Sequence, residues 1–145
     1  VLACDLVVAG QGAKFGLPEV KRGLLAMAGG LIRLPRQIPQ RIAMELALTG
    51  DMIGAERALA LGLINQVVED GCALEAAMEL ARRIAANAPL SVLASKEIVL
   101  QSRDWASESM FDAQEQYRAP VFSSNDAREG AKSFAEKRAP QWTGT

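Results

Sequence analysis

The order of two hydrophobic patterns along the chain constrains its fold more than any other feature. The chain opens with the apolar run Val1–Ala9, whose length and closing glycines are typical of a buried strand, and continues with short alternating strand and helix patterns. From Ala73 onwards the apolar residues recur at helical spacing. The sequence therefore predicts an α/β segment over residues 1–70, followed by a helical segment over residues 71–145.

Prolines, glycines and capping residues set the predicted helix ends. The sequence predicts a short helix after Gly30 that stops at Pro35, and a later helix that stops before Pro120. Asp126, with Glu129 three residues later, is predicted to cap the last helix. Helical spacing then places a set of apolar side chains on the inner face of that helix: Ala127, Ala131, Phe134 and Ala135.

The stretch Phe15–Gly30 holds the side chain with the clearest chemical potential, Glu19. Gly16 relaxes the backbone and Pro18 fixes its own φ, so we expect Glu19 to emerge from a stiff, non-helical corner. The glycine pair that ends the stretch lets the chain approach another backbone or a ligand closely, at the start of a helix with free N–H groups. From the residues alone, a solvated surface carboxylate is the favoured description, because glutamate in a proline-containing loop is usually exposed.

The composition excludes several classes of site and partner. The chain contains no histidine, which removes Ser–His–Asp and Cys–His nucleophiles and histidine-based metal sites, and we predict no metal site. Its 16 basic and 17 acidic side chains give a net charge of −1, which argues against a nucleic-acid partner. No apolar run is long enough to span a membrane. Cys4 and Cys72 match no paired metal or redox spacing, so we expect reduced, partly buried thiols, with a disulfide left open.

Several motifs occur in a fixed order along the whole chain. Phe15–Val20 reads F-G-L-P-E-V, and G-L, A-G-G and R-L-P-R follow it; the other motifs are Cys4-Asp5, A-M-E-L-A-L-T-G at Ala43–Gly50, A-E-R-A-L-A-L-G-L-I-N at Ala55–Asn65, and E-G with F-A-E-K-R-x-P-x-W within Asp126–Trp142. This ordered set resembles the enoyl-CoA hydratase/isomerase (crotonase) superfamily. The P-E pair alone would carry little weight, whereas the ordered set is highly specific.

The resemblance implies a crotonase-like ββα spiral core, of which this chain carries the C-terminal part, followed by a helical C-terminal trimerisation region. Members usually carry G-G-G-x-E-L just upstream of the Cys4-Asp5 pair, with a second glutamate and one oxyanion-hole N–H. By that spacing we expect the second glutamate just before Val1, so the chain corresponds to about the C-terminal half of a member. Ala26-Met27 replaces the Pro-Gly of many hydratases, which implies an altered pocket floor.

The resemblance also implies that Glu19 is a catalytic acid/base. Adding water to a 2-enoyl thioester needs a base for the water, an acid for the α-carbon and stabilisation of an enolate. Two glutamates and two backbone N–H groups supply these without a metal, and the only cofactor expected is the coenzyme A carried by the substrate.

In the family the final helix contacts coenzyme A, often that of a neighbouring subunit. Phe134 is therefore expected to pack against coenzyme A, with core packing as its alternative, and Lys137 to contact a phosphate. Arg33 and Arg36 are expected to be structural or subunit-contact residues.

The resulting prediction is an enoyl-CoA hydratase of fatty-acid β-oxidation or related acyl-CoA catabolism. We expect a cytoplasmic homotrimer or dimer of trimers that binds neither nucleic acid nor membrane. One alternative is another crotonase-type enzyme, an enoyl-CoA isomerase or a carnitinyl-CoA dehydratase, because one glutamate does not separate these reactions. Another alternative is a non-catalytic oligomerising fragment or pseudoenzyme, because half of the expected site lies upstream.

Overall fold

The computed structural model describes residues 1–145, which form two compact units, Val1–Leu80 and Ala81–Thr145. The first unit contains, in order, β1 (Val8–Gly10), β2 (Lys14–Phe15), a 3-10 helix (Pro18–Arg22), α1 (Gly30–Gln37), α2 (Gln40–Thr49), β3 (Ile53–Gly54), α3 (Ala55–Ala60), β4 (Gln66–Val68) and the start of α4 (Ala73–Ala85). The second contains the end of α4, then α5 (Pro89–Gln101), a second 3-10 helix (Ser102–Asp104), α6 (Met110–Phe122) and α7 (Asn125–Glu136). The fold is therefore mixed α/β in the first unit and helical in the second.

The four strands pair into two small sheets. β1 lies parallel to β4, with Val8 opposite Gln66, and β2 lies antiparallel to β3, with Phe15 opposite Ile53. The predicted strand over Val1–Ala9 is wrong for most of its length, because its first residues form turns in which the Cys4 N–H donates to the Val1 carbonyl. An apolar run becomes a strand only where its backbone groups find a partner, and β4 supplies that partner only from Val8 onwards.

The core of the first unit lies between α1, α2, α3 and the strands. Its buried members are Ala9, Leu34, Ile38, Ala43, Leu46, Ile53, Ala55, Ala58, Leu63 and Ile64. Leu46 is 2% exposed and Ala43 is 4% exposed, so the apolar face of α2 points into this cluster. Gly50 ends α2 in the left-handed conformation, with φ 66°, which glycine adopts without steric strain. The end of α2 is thereby fixed relative to the core.

Two predicted helix stops at prolines are wrong. α1 continues through Pro35 to Gln37, and the Ile38 N–H donates to the Leu34 carbonyl in its last turn. α6 likewise includes Pro120 and ends at Phe122. Proline removes its own donor but leaves later residues free to donate, and in α1 the burial of Leu34 and Ile38 offsets the missing bond.

Ser124 caps α7, and the predicted cap at Asp126 is wrong. The Ser124 hydroxyl oxygen accepts a 3.0 Å hydrogen bond from the Ala127 N–H. Asp126 is 2% exposed, and its carboxylate accepts hydrogen bonds from the backbone N–H groups of Thr143 and Gly144. These bonds, that from Thr143 foremost, hold the pKa of Asp126 below its usual value.

The predicted inner face of α7 is also wrong, because the buried residues of this helix are Asp126 and Ser133. The apolar set that helical spacing assigned to the interior is exposed, and Phe134 is 87% exposed. Residues 141–145 lie along the polar side instead: the Gln141 N–H donates to Glu129, and the Trp142 ring faces Gly130. The extended segment needs acceptors for its N–H groups, so the side of α7 that it covers is polar.

Two further sequence expectations concern the cysteines and the membrane. Cys4 and Cys72 are free thiols, as expected, but both are exposed rather than partly buried. Neither belongs to the apolar cluster of the first unit. None of the helices combines the length and the apolar character that crossing a bilayer requires.

Candidate active site

A cavity of about 420 Å³ opens in the first unit beside the 3-10 helix. Its walls are mainly apolar and include Leu17, Leu34, Leu46 and Leu63. Glu19 borders the same cavity. A mainly apolar cleft with a few polar groups is the usual form of a small-molecule site, so this cavity is the candidate active site.

Glu19 projects from the first turn of the 3-10 helix, and the prediction of a non-helical corner is wrong. Pro18 occupies the first helical position, where its fixed φ fits and its missing N–H is no loss. The turn closes when the Leu24 N–H donates to the Glu19 carbonyl at 3.0 Å, and Gly23 ends it with φ 70°. The corner that carries Glu19 is therefore a single helical turn closed by a backbone hydrogen bond.

The carboxylate of Glu19 is the most unusual polar group of the cavity. Its Oε2 atom is shielded from solvent and has no hydrogen-bond partner. Buried polar atoms are nearly always paired, because an unpaired one loses its interactions with water without replacing them. An unpaired carboxylate oxygen at a cavity wall is available to exchange a proton with a bound molecule.

The glycine pair Gly29-Gly30 packs tightly where α1 begins at the cavity. Gly29 is the N-cap of α1 with φ 91°, and no side chain caps this end. A Cβ at Gly30 would lie 2.7 Å from Leu17 Cδ2, so a larger residue there would have to displace the end of the Leu17 side chain. The neighbour of Gly30 in this structure is the Leu17 side chain, and the predicted approach to another backbone or a ligand stays a prediction.

Phe134 and Lys137, the two predicted coenzyme A contacts, lie in the second unit, whereas Glu19 lies in the first. Phe134 is on the exposed apolar side of α7, so core packing does not explain it. Lys137 directly follows the helix and has φ 53°, which makes it the only non-glycine residue with a positive φ. Its left-handed conformation ends α7 where glycine is more usual.

The sequence pattern missed charged residues at the cavity wall. Lys14 and Arg33 both border it, although Arg33 was expected to be structural or a subunit contact. The guanidinium of Arg33 reaches back over Gly29, where a Cβ would lie 2.9 Å from its Nη1 atom. The four-residue spacing from Gly29 was the available signal, because residues so spaced share one side of a helix.

Comparison with known proteins gives one consistent result. A sequence model described as enoyl-CoA hydratase/isomerase matches residues 1–145. Enoyl-CoA hydratase EchA19 of Mycobacterium tuberculosis is 46% identical over 95% of this chain and 52% of its own length. Carnitinyl-CoA dehydratase of Salmonella typhi is 39% identical over 99% of this chain and 56% of its own length.

A solved structure shows the same relationship in three dimensions. The crystal structure of an enoyl-CoA hydratase from Mycobacterium tuberculosis H37Rv superimposes with a TM-score of 0.96 and 58% identity, over 99% of this chain and 57% of that one. This likeness confirms the crotonase-like fold. The chain spans little more than half the length of the proteins it matches.

Proposed function

This chain belongs to the enoyl-CoA hydratase/isomerase family, and from that premise we propose that the protein is an enoyl-CoA hydratase. The reaction is the reversible addition of water to a 2-enoyl-CoA thioester, in fatty-acid β-oxidation or related acyl-CoA catabolism. The oxygen of water bonds to C3 of the acyl group, and a proton is delivered to C2. The relative named enoyl-CoA hydratase supports this assignment.

Glu19 is the acid/base of the proposed reaction. The observation that carries the proposal is its Oε2 atom, shielded from solvent and unpaired at the wall of a mainly apolar cavity. A carboxylate in that position can take a proton from water or give one to the α-carbon, because no internal hydrogen bond competes for it. The second glutamate and the oxyanion-hole N–H of the family motif would come from the segment expected before Val1.

Coenzyme A binding is proposed to involve the end of α7. Phe134 offers an exposed aromatic ring to the acyl or adenine part, and Lys137 offers a cation to a phosphate. In the proposed assembly, a cytoplasmic homotrimer or dimer of trimers, these side chains serve the coenzyme A of their own or a neighbouring subunit. Their exposure supports the role, since a side chain packed in the core could not bind a ligand.

Replacing Glu19 with glutamine tests the proposed acid/base directly. The substitution keeps the size of the side chain and removes its proton exchange, so kcat for hydration of a 2-enoyl-CoA should fall about 10²- to 10⁴-fold with KM little changed. The matched control is Glu56→Gln, an exposed glutamate on α3 that does not border the cavity, which should leave kcat unchanged. Turnover that survives Glu19→Gln would exclude the catalytic role of Glu19, whereas no hydration by the unsubstituted protein would favour a non-catalytic oligomerising protein.

A second substrate separates hydration from its closest alternatives. The 39% identity to carnitinyl-CoA dehydratase supports a dehydratase as the second candidate, and an enoyl-CoA isomerase would use the same frame. Product analysis with a 2-enoyl and a 3-enoyl thioester distinguishes a hydratase from an isomerase, because a hydratase forms a 3-hydroxyacyl product from the first, whereas an isomerase moves the double bond of the second. Hydration of the 2-enoyl thioester is the expected result.

A further inference from the structure

The loop that follows α2, Gly50–Met52, contacts the segment that carries Glu19 at several points; this segment, from Gly16 to the end of the 3-10 helix, is called the Glu19 corner below. Lys21 Nζ lies 2.6 Å from Asp51 Oδ1. A Cβ at Gly50 would lie 3.0 Å from Lys21 Cγ and 3.1 Å from Val20 Cγ2. A Cβ at Gly16, on the other side of the corner, would lie 2.8 Å from the Asp51 carbonyl oxygen. The loop Gly50–Met52 therefore packs against both ends of the corner.

The corner has little to hold it in place by itself. Its 3-10 helix contains five residues, none of which is fully buried. The 3-10 hydrogen-bond geometry is poor, so such short helices depend on their surroundings. The Glu19 carboxylate adds no anchor, because its Oε2 atom has no partner.

The loop, by contrast, is fastened to the core. Leu46 anchors α2 in the apolar cluster, and the Gly50 N–H donates to the Leu46 carbonyl at 3.0 Å. The Thr49 hydroxyl oxygen accepts from the Asp51 N–H at 3.1 Å, which fixes Asp51 relative to the helix end. The hydrogen bond from Lys21, and then its charge, keep the pKa of Asp51 below the ordinary value, so the carboxylate stays ionised.

We propose that Gly50–Met52 is a positioning loop, which holds the Glu19 corner at the cavity through the Asp51–Lys21 ion pair and the close packing at Gly16 and Gly50. Asp51 and Lys21 are positioning residues that act through the backbone of the corner. The inference rests on the proposed role of Glu19 as acid/base. Its consequence is kinetic, because displacing a reacting group by 1 Å lowers the rate about 100-fold.

Two glycines provide a matched pair for the first test. Gly50 and Gly62 follow α2 and α3 with φ 66° and 75°, so alanine introduces similar left-handed strain at both. Only at Gly50 does the added Cβ press on the corner, since nothing lies within 4 Å of a Cβ at Gly62. A displacement of about 0.3 Å corresponds to about a fourfold loss of kcat.

Gly50→Ala should therefore lower kcat for 2-enoyl-CoA hydration about fourfold with KM unchanged, whereas Gly62→Ala should leave both constants unchanged. The two variants should lose similar amounts of thermal stability. An equal loss of kcat in both variants, or no loss in Gly50→Ala, would overturn the inference, because strain alone would then account for the result.

The ion pair gives the second test. Asp51→Asn and Lys21→Met should each lower kcat about two- to fivefold, the double variant should lose no more than either single one, and Lys21→Arg should retain activity. Thermal stability should hardly change, because the two side chains are 51% and 68% exposed. The control is Glu45→Gln, which removes the charge from the similarly exposed Arg57–Glu45 pair between α2 and α3 and should not affect kcat.

The two proposals fail in different ways. If Glu19→Gln abolishes turnover while the loop variants retain full kcat, the positioning loop is wrong and the catalytic role of Glu19 stands. If Glu19→Gln retains turnover, the catalytic role is wrong and the positioning inference falls with it. The positioning loop is supported if Asp51→Asn and Lys21→Met lower kcat without changing KM, while Lys21→Arg keeps the kcat of the unsubstituted protein.

Discussion

Gly130 lies in the middle of α7, and we predict that alanine there stabilises the protein. Glycine in a helix interior is less favourable than alanine by about 0.8–1.0 kcal/mol, because it has more backbone freedom to lose on folding. A Cβ at Gly130 would meet ring atoms of Trp142 at 3.5 and 3.6 Å, which is ordinary van der Waals contact. With no overlap to relieve, Gly130→Ala should raise the unfolding free energy by about 1 kcal/mol, or the melting temperature by about 3 °C.

The neighbouring alanine supplies the control for this prediction. Ala131→Gly places the same change on the exposed side of α7 and should destabilise by about 1 kcal/mol. In the double variant Gly130→Ala/Ala131→Gly the helix contains the same residues in exchanged order. Its urea midpoint relative to wild type therefore measures the contact with Trp142 alone. A lower midpoint for Gly130→Ala would refute the reasoning, because it would mean that the tryptophan must move to admit a methyl group.

Two further predictions concern Glu129 within α7 and Ser124 at its start. The hydrogen bonds from Arg138, and then from the Gln141 N–H, lower the pKa of Glu129 from 4.5 to about 2. This stabilisation is complete above pH 4.5 and lost as the pH falls towards 2, so the thermal midpoint should drop across that window and Glu129→Gln should flatten the drop. At the start of the helix, Ser124→Ala removes the cap on the Ala127 N–H and should cost about 1 kcal/mol in urea unfolding, whereas Ser124→Asp should restore it.

Local signals predicted the helical character of the second unit. α5 runs from Pro89 to Gln101, and a proline at a helix start acts within a few residues. The prediction failed at Pro35 and Pro120, where the proline was assumed to end the helix whatever its neighbours. A proline removes one hydrogen bond, and packing by neighbours distant in sequence decides whether the helix continues.

The candidate site could be predicted only in part. Motifs within a short stretch singled out Glu19 and the corner that carries it, and the resemblance supplied the role proposed for the carboxylate. The contacts with Gly50–Met52 could not be predicted, because the Asp51 carboxylate that meets Lys21 lies thirty residues away in sequence. The unpaired Oε2 atom of Glu19 could not be predicted either, because the absence of a partner depends on every side chain around the cavity.

The two faces of α7 show how one error of prediction bears on function. Helical spacing divides this helix correctly into an apolar and a polar side, but spacing does not say which side is covered. Residues 141–145 cover the polar side through Asp126 and Glu129, because an extended segment needs acceptors for its N–H groups. The apolar side is thereby left exposed, with Phe134 on it. Binding an apolar partner removes the exposed ring of Phe134 from water, which is favourable. The segment 141–145, by covering the polar side of α7, therefore leaves exposed the residue proposed to contact coenzyme A.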